Sequence, residues 1–395
     1  MGPQGDGPAA ASARELLSAA RARGGDRPYL TYRDVGSGER TELGYATFEN
    51  WASKAADALA EEGVEPGDVV AVTTAGHWSG LVAVWACGLL GAAARLVEGA
   101  GLPPRPRAAR LAVTHEDAAA GTGQAGTELL VGDGLGGRPA TDGEAFVDVA
   151  LSGSDVYDDP EVGLDHDWLL VGDRSCWQRL SAGNLAAAAQ ALAGWGLASG
   201  DRVLVTTPLE QPSTMVLAVA VAAVGGQVVA VRGGGTAQWL AAAEEERVDW
   251  LATDAAGVDA LGSAEPGGHG LSGVLCLDGV AAPRAALAST RLGVGVATGS
   301  GLATAAYLAS LTPRDLDAAT AAWLATEPGQ PGGALLGPVC LEEQDGELCV
   351  GGPLASPGVE GAEEGADTAL GATRHTGVLG ALRHGPDGRT HVLLR

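Results

Sequence analysis

Apolar positions recur every three to four residues from Thr47 to Glu62, where Phe48, Trp51, Ala55 and Leu59 fall on one helical face and Gly63 supplies a left-handed stop. The tight turn Glu65-Pro66-Gly67-Asp68 then introduces an apolar run, Val69 to Thr73, that reads as a buried strand. A second apolar helix, Ser79 to Leu90, ends at Gly91 and leads into a strand from Ala93 to Val97. Upstream, residues 11 to 20 read as a short helix, with Tyr29 to Tyr32 and Glu39 to Leu43 as two strands around Val35-Gly36-Ser37-Gly38. Helix, strand, helix, strand is the pattern of a parallel sheet covered by helices.

The unit returns further along. Asn184 to Trp195 is an Ala-rich helix, Gly196 to Asp201 the turn, Val203 to Thr206 a strand, Thr214 to Val224 a helix and Val228 to Val231 the next strand. Gly67-Asp68 and Gly200-Asp201 stand 133 positions apart, and Gly91 and Gly225 stand 134 apart, so the internal spacing is kept to one residue. An internal duplication of an α/β subdomain explains this economically.

Residues 99 to 126 and the acidic stretch Ser152 to Asp167 read as connectors. A third set of elements follows: a strand from Val274 to Leu277, a helix from Ala282 to Ser289 and a strand from Leu292 to Val296. From Pro328 the pattern changes to short strands, clearest at residues 346 to 350 and His391 to Leu394, with an acidic loop over 356 to 371. The expected organisation is an α/β subdomain with linker over 1–165, a second over 166–327 and a small β-rich subdomain over 328–395.

Asp plus Glu outnumber Lys plus Arg by 49 to 24, a net charge of -25. That field repels phosphate backbones, so neither nucleic acid nor a membrane surface is an expected partner. Five scattered cysteines without a C-x-x-C suit buried thiols in a reducing cytoplasm. The N-terminus shows no signal-peptide pattern, and the longest apolar stretch, Val216 to Val231, is broken by Gly225-Gly226-Gln227. The expected location is therefore cytoplasmic. Lys54 is the only lysine in a chain with no isoleucine, a bias of the kind a GC-rich genome writes.

Candidate chemistry is sparse. Gly132, Gly134 and Gly137 form a G-x-G-x-x-G, but Arg138-Pro139 follows where a dinucleotide fingerprint needs a helix to open, so the match reads as a loop. The seven histidines have no metal-ligand spacing, and Asp155, Asp158, Asp159 and Glu161 lack the alternation of a calcium loop. Ser300 sits in Thr298-Gly299-Ser300-Gly301, a nucleophile elbow without its first glycine, and is not read as a nucleophile.

Several segments together resemble the adenylate-forming enzymes, the superfamily of acyl-CoA synthetases, peptide-synthetase adenylation domains and luciferases. They are Leu30-Thr31-Tyr32 through Tyr45-Ala-Thr-Phe48, Gly63-Val-Glu-Pro-Gly-Asp68-Val-Val-Ala-Val72, Leu180-Ser-Ala-Gly-Asn184-Leu185, Gly346-Glu-Leu-Cys-Val-Gly-Gly-Pro353 and Arg374-His-Thr376-Gly377-Val378. The nearest likeness is to actinobacterial proteins similar to AMP-binding enzymes. The resemblance implies two flavodoxin-like α/β subdomains and a small β-rich one. It also implies a lid domain that would begin where this sequence stops, at Arg395, and that is expected to be absent.

The catalytic set departs from that pattern. Where the family holds ATP phosphates with a glycine-rich, lysine-bearing loop, this chain has Val171-Gly-Asp-Arg174-Ser175-Cys-Trp177-Gln-Arg179-Leu-Ser-Ala-Gly-Asn184. The metal-serving glutamate has no counterpart in Val296 to Ser300, and the ribose-binding aspartate is Val378. The acyl-pocket histidine appears as Gln211, and no lysine follows Lys54 to serve a lid. Losing one preorganised charge contact costs about 2.7 to 4 kcal/mol of transition-state stabilisation. The reading is a catalytically degenerate adenylate-former-like protein acting as a binding or regulatory module, with no catalytic residue, metal or cofactor expected. An acyl or aryl carboxylate, a carrier protein or an active synthetase is the expected partner. The alternative is an active ATP- and magnesium-dependent ligase with a lid supplied in trans. Arg174, Ser175 and Arg179 would be its phosphate-loop counterparts, and Gln211, Thr298 and Ser300 its acyl and adenine pocket counterparts.

Overall fold

The first repeat runs α1 (Ala13–Gly24), β1 (Pro28–Asp34), β2 (Arg40–Gly44), α2 (Tyr45–Glu61), β3 (Val69–Thr73), α3 (Ser79–Leu90), β4 (Ala93–Val97), β5 (Leu111–His115), β6 (Thr127–Val131) and α4 (Phe146–Ser152). The second runs β7 (Asp167–Gly172), β8 (Trp177–Ser181), α5 (Ala182–Trp195), β9 (Arg202–Val205), α6 (Pro212–Val224), β10 (Gln227–Arg232), α7 (Thr236–Glu245), β11 (Trp250–Thr253), α8 (Ala255–Gly262) and β12 (Gly273–Cys276). Then come β13 (Gly295–Gly299), β14 (Tyr307–Ser310), β15 (Gln330–Leu335), β16 (Cys340–Gln344), β17 (Glu347–Gly352), β18 (Gly371–His384) and β19 (Thr390–Leu394). This is a computed structural model, and it describes residues 12–97, 108–116, 127–133, 136–157, 162, 166–172, 177–263, 270–277, 295–299, 307–310, 330–335, 340–345, 347–352, 371–384, 386 and 390–394.

Two sheets result, one ordered β6-β5-β3-β4-β7-β8 and the other β16-β17-β18-β19-β15-β14-β13-β12-β11-β9-β10-β1-β2. Matching the orders equates β3 with β9, β4 with β10, β5 with β11 and β6 with β12. In each sheet the parallel strands finish on an antiparallel hairpin, β7–β8 in the first and β1–β2 in the second. The hairpins are exchanged: β1, from the first repeat, pairs with β10, and β7, from the second, pairs with β4. The boundary expected at residues 165 and 166 therefore divides the chain but not the sheets. Alternation within a hairpin reveals that it is an edge and carries no signal of which sheet it joins.

Tyr29 and Trp168, each the second residue of its exchanged hairpin, make the same anchor. Tyr29 Oη donates to the Ala218 carbonyl of α6 at 3.1 Å, and Trp168 Nε1 donates to the Val84 carbonyl of α3 at 2.8 Å. Val84 and Ala218 are 134 positions apart, the spacing of the repeat. The turns agree as closely. Gly67 N–H donates to Gly91 O at 2.8 Å and Gly200 N–H to Gly225 O at 2.9 Å, while Asp68 and Asp201 each cap the backbone N–H three residues upstream. Gly91 and Gly225 close α3 and α6 at φ +77° and +79°, a region that only glycine enters freely.

Helices α3 and α6 are apolar on every side because they are buried on every side. With α1, α2 and α5 they form a helical layer between the sheets, and one continuous core joins Val70, Leu96 and Val113 of the first sheet to Leu30, Val205 and Val228 of the second. Helices α7 and α8 cover the far face of the second sheet through Ala243, Val258 and Leu261 against Leu204, Val229 and Val274.

One local expectation changes. The connector expected over 99 to 126 contains β5, whose five residues are all buried between β3 and β6; its short Leu-Ala-Val-Thr-His run sits beside glycine-rich sequence that masks a strand signal. Of the strand expected at 292 to 296, Gly295 and Val296 lie in β13, and 292 to 294 lie outside the described residues. The helix at 282 to 289 and the acidic loop at 356 to 371 lie outside the described residues, apart from Gly371, which opens β18. The late strands β15 to β19 are antiparallel and continue the second sheet through β14.

Candidate functional site

Ligands of open α/β sheets bind beyond the carboxyl ends of the parallel strands. Here the carboxyl edges of both sheets meet. Arg232, last residue of β10, donates to Asp34 Oδ2 at 3.0 Å, at the end of β1, and also to Asp133, just past β6 on the other sheet. Asp133 Oδ1 also meets Nε2 of His115, the end of β5, at 3.2 Å. The Arg232 hydrogen bond, followed by that from His115, holds the Asp133 carboxyl below the usual aspartate range.

The loop from β3 to α3, Thr74-Ala75-Gly76-His77-Trp78, turns through left-handed backbone at Ala75 (φ +50°) and Gly76 (φ +81°). That turn aims the Gly76 N–H at Glu210, whose two carboxyl oxygens receive it at 2.8 and 2.6 Å from the loop after β9. Burial pushes the Glu210 carboxyl above the usual glutamate range, against the pull of its backbone hydrogen bonds and of Arg232 and His115. His77 is buried, and its Nδ1 lies 3.3 Å from the Ser79 backbone nitrogen and 2.8 Å from the Ser79 hydroxyl. Nε2 faces Glu39 Oε2, on the exchanged hairpin, at 3.8 Å, and His77 is the main cause of the lowered Glu39 carboxyl. Tyr32 packs edge-on against His77 at 5.2 Å, and burial raises its phenol.

Beneath this junction a pair of threonine bridges repeats, Thr73 to Thr114 at 2.9 Å in the first sheet and Thr206 to Thr253 at 2.7 Å in the second. The junction itself sets four carboxyl groups, on Asp34, Glu39, Asp133 and Glu210, against one guanidinium and two imidazoles. Such a set attracts cationic or neutral groups and repels a polyphosphate. Among the described residues no group of three or more His, Cys, Asp or Glu is placed to hold a metal ion, and no helix is long and apolar enough to cross a membrane.

Of the residues singled out by sequence, Arg179, Gln211 and Thr298 are among those described. Arg179, on β8, is held by Asp167 at the base of its hairpin, with Nε 2.7 and 2.9 Å from the two carboxylate oxygens. Arg174, Ser175 and Ser300 lie outside the described residues. Gln211 is the N-cap of α6 at the carboxyl end of β9, and Thr298 pairs with Cys276 near the end of β13. Strands β9 and β13 are three positions apart in the sheet, about 14 Å at ~4.8 Å per strand. Among the described residues no helix opens between β6 and Phe146, and Gly132 and Gly137 lie in loop backbone. These glycines are not idle: Gly132 N–H bonds Gly137 O at 2.9 Å, and a Cβ on Gly137 would lie 2.6 Å from the His77 ring.

His77, His115, Asp133, Glu210 and Arg232 were absent from the sequence candidates. Their common signal is position, each standing at or just past the end of a short apolar strand. The repeat offers a second signal, since adding the 133-residue spacing to His77 gives Glu210.

No protein-family model matches the chain. A curated protein of Mycobacterium tuberculosis, a TIGR03089 family protein, is 30% identical over 207 residues, which is 52% of this chain and 82% of the relative. The chain belongs to the TIGR03089 family. Solved structures extend the likeness across both repeats of this TIGR03089 family member. The N-terminal domain of FACL13 from Mycobacterium tuberculosis superposes with a TM-score of 0.77 over 96% of this chain and 99% of that one, at 13% identity. A long-chain-fatty-acid-CoA ligase (FadD1) from Archaeoglobus fulgidus gives 0.78 over 97% and 84%, at 15% identity. O-succinylbenzoate Coenzyme A synthetase (MenE) from Bacillus subtilis gives 0.73 over 96% and 78%, at 17% identity. The fold is that of the N-terminal domain of adenylate-forming enzymes.

Proposed function

We propose that this TIGR03089 family member is a catalytically degenerate adenylate-forming fold that serves as a binding or regulatory module. The supporting observation is the segment between β7 and α5. It has neither a lysine nor a glycine series, and its one described arginine, Arg179, is engaged by Asp167. A polyphosphate drawn to Arg179 would have to compete with that pair. On this reading the chain takes no ATP and carries out no adenylation. The ligand class consistent with this reading is an acyl or aryl carboxylate, a carrier protein or an active synthetase.

A second reading has its own observation. Arg174 and Ser175 stand in sequence between Gly172 and Trp177, which pair at the carboxyl edge of the first sheet, and a rebuilt phosphate loop belongs at such an edge. That reading is an active ATP-dependent adenylate-forming ligase. Calorimetric titration of the protein with ATP and magnesium separates the two: no heat of binding is expected, and a saturable isotherm would favour the ligase.

A further inference from the structure

A second concavity lies far from the carboxyl edges. It is a groove of about 280 Å³ between α1, α5 and α6, lined mainly by apolar side chains such as Leu16, Ala189, Ala193 and Val224, with Arg23 and Ser199 at one end. That end is the amino edge of the second sheet, where Gly200 and Gly225 meet. It stands about 18 Å along α6 from Pro212, at ~1.5 Å per residue.

Arg23 and Arg27 mark this end. Arg23 donates to the Ala223 carbonyl, and Arg27 donates to Ser199 Oγ at 3.0 Å and to the Gly24 carbonyl at 2.9 Å. Neither makes an ion pair among the described residues, in a chain whose acids outnumber its bases two to one. Two guanidiniums without a carboxylate, at the mouth of an apolar groove, match a ligand with an apolar body and one anionic head. The volume is about nine waters' worth at ~30 Å³ each, which admits a short chain and not a drug-sized ring system.

We propose that the groove between α1, α5 and α6 binds a short apolar monoanion, its chain along Ala189 and Ala193 and its head on Arg23 and Arg27. The site does not rest on the degenerate reading: it lies at the opposite strand ends and stands whether or not ATP binds. The probe is octanoate, with 1-octanol as the uncharged control, titrated calorimetrically into the full chain. Saturable octanoate binding is expected. Arg23→Gln should weaken it about tenfold, the size of one charge-assisted hydrogen bond, while leaving octanol unchanged. Ala193→Phe, at an exposed helical position, should fill the groove and abolish binding of both probes, with the thermal midpoint reporting that the fold is intact. Absence of saturable octanoate binding to the parent chain would overturn the proposal, as would octanoate affinity that survives Ala193→Phe. Equal binding of octanol and octanoate would overturn the role of the arginines, and displacement of octanoate by ATP would move the site to the carboxyl edges.

Discussion

The turns Gly63 to Asp68 and Gly196 to Asp201 carry the same hydrogen bonds, the same aspartate cap and glycines at positive φ in the same two places. The loops leaving the same strands at their other ends, Thr74 to Trp78 and Thr207 to Gln211, share only the leading threonine. One repeat brings His77 to the junction and the other Glu210, and each reaches across to the opposite sheet. At the amino edges both copies solve one problem, reversing the chain from helix to strand, and one solution suffices. The carboxyl edges face each other instead of solvent, so the copies must be complementary and not identical.

The exchanged hairpins give the most drastic way to break the comparison. Cutting at residues 165 and 166 leaves each sheet without the strand that completes it, β1 for the second and β7 for the first. Neither fragment is expected to unfold cooperatively alone, and mixing them should restore a single transition by circular dichroism. Cooperative melting of isolated 1–165 would show that the repeats are independent domains.

Next in size is the pair of hairpin anchors. Trp168 packs edge-on against Trp85 at 4.9 Å besides holding Val84, and Trp168→Ala should cost about 3–5 kcal/mol in urea unfolding. Tyr29→Phe removes only the hydroxyl on Ala218 and should cost about 1 kcal/mol. Reversal of that order would mean the second hairpin is the less firmly held.

The conserved turn gives a finer comparison. Gly91→Ala and Gly225→Ala each force a side chain into left-handed backbone, at about 1–2 kcal/mol, and should be equal within error. A large inequality would trace to the neighbours, Val162 at Gly91 or Arg23 at Gly225, and not to the turn.

The smallest expected effects distinguish the junction's carboxyl groups by pH. Asp133 and Glu39 titrate below their ordinary values, so the stability they contribute is present above the unfolded-state value, about 3.9 for aspartate and 4.3 for glutamate, and is lost as pH falls through the folded one. Glu210 is raised, so its contribution is complete below about 4.3 and is lost as pH rises through its folded value. Asp133→Asn should flatten the acid limb of a stability–pH profile by at most about 1 kcal/mol, since Asp133 is half exposed and screened. Glu210→Gln should flatten the limb on the other side of the glutamate value. The two substitutions acting on the same limb would refute the assignment.

Much of the scaffold was legible because it obeys local rules. Ser79 to Leu90 and Val69 to Thr73 were readable to the residue, since an all-apolar helix between a threonine-rich loop and a glycine has sharp ends. The duplication was legible from glycine and aspartate spacing. Hairpin exchange was not, because β1 and β7 would look the same on either sheet. The junction was missed for a related reason: His77, Glu210 and Arg232 match no motif and acquire meaning only when two edges 133 residues apart in sequence are brought face to face. Arg179 stands at the expected place in sequence and is bonded to Asp167 at the hairpin base.

The claim of a degenerate site meets its most direct test in ATP–pyrophosphate exchange by the full chain, with magnesium and a panel of carboxylic and amino acids. The account predicts no exchange above the protein-free background with any acid, and substrate-dependent exchange with even one would contradict it.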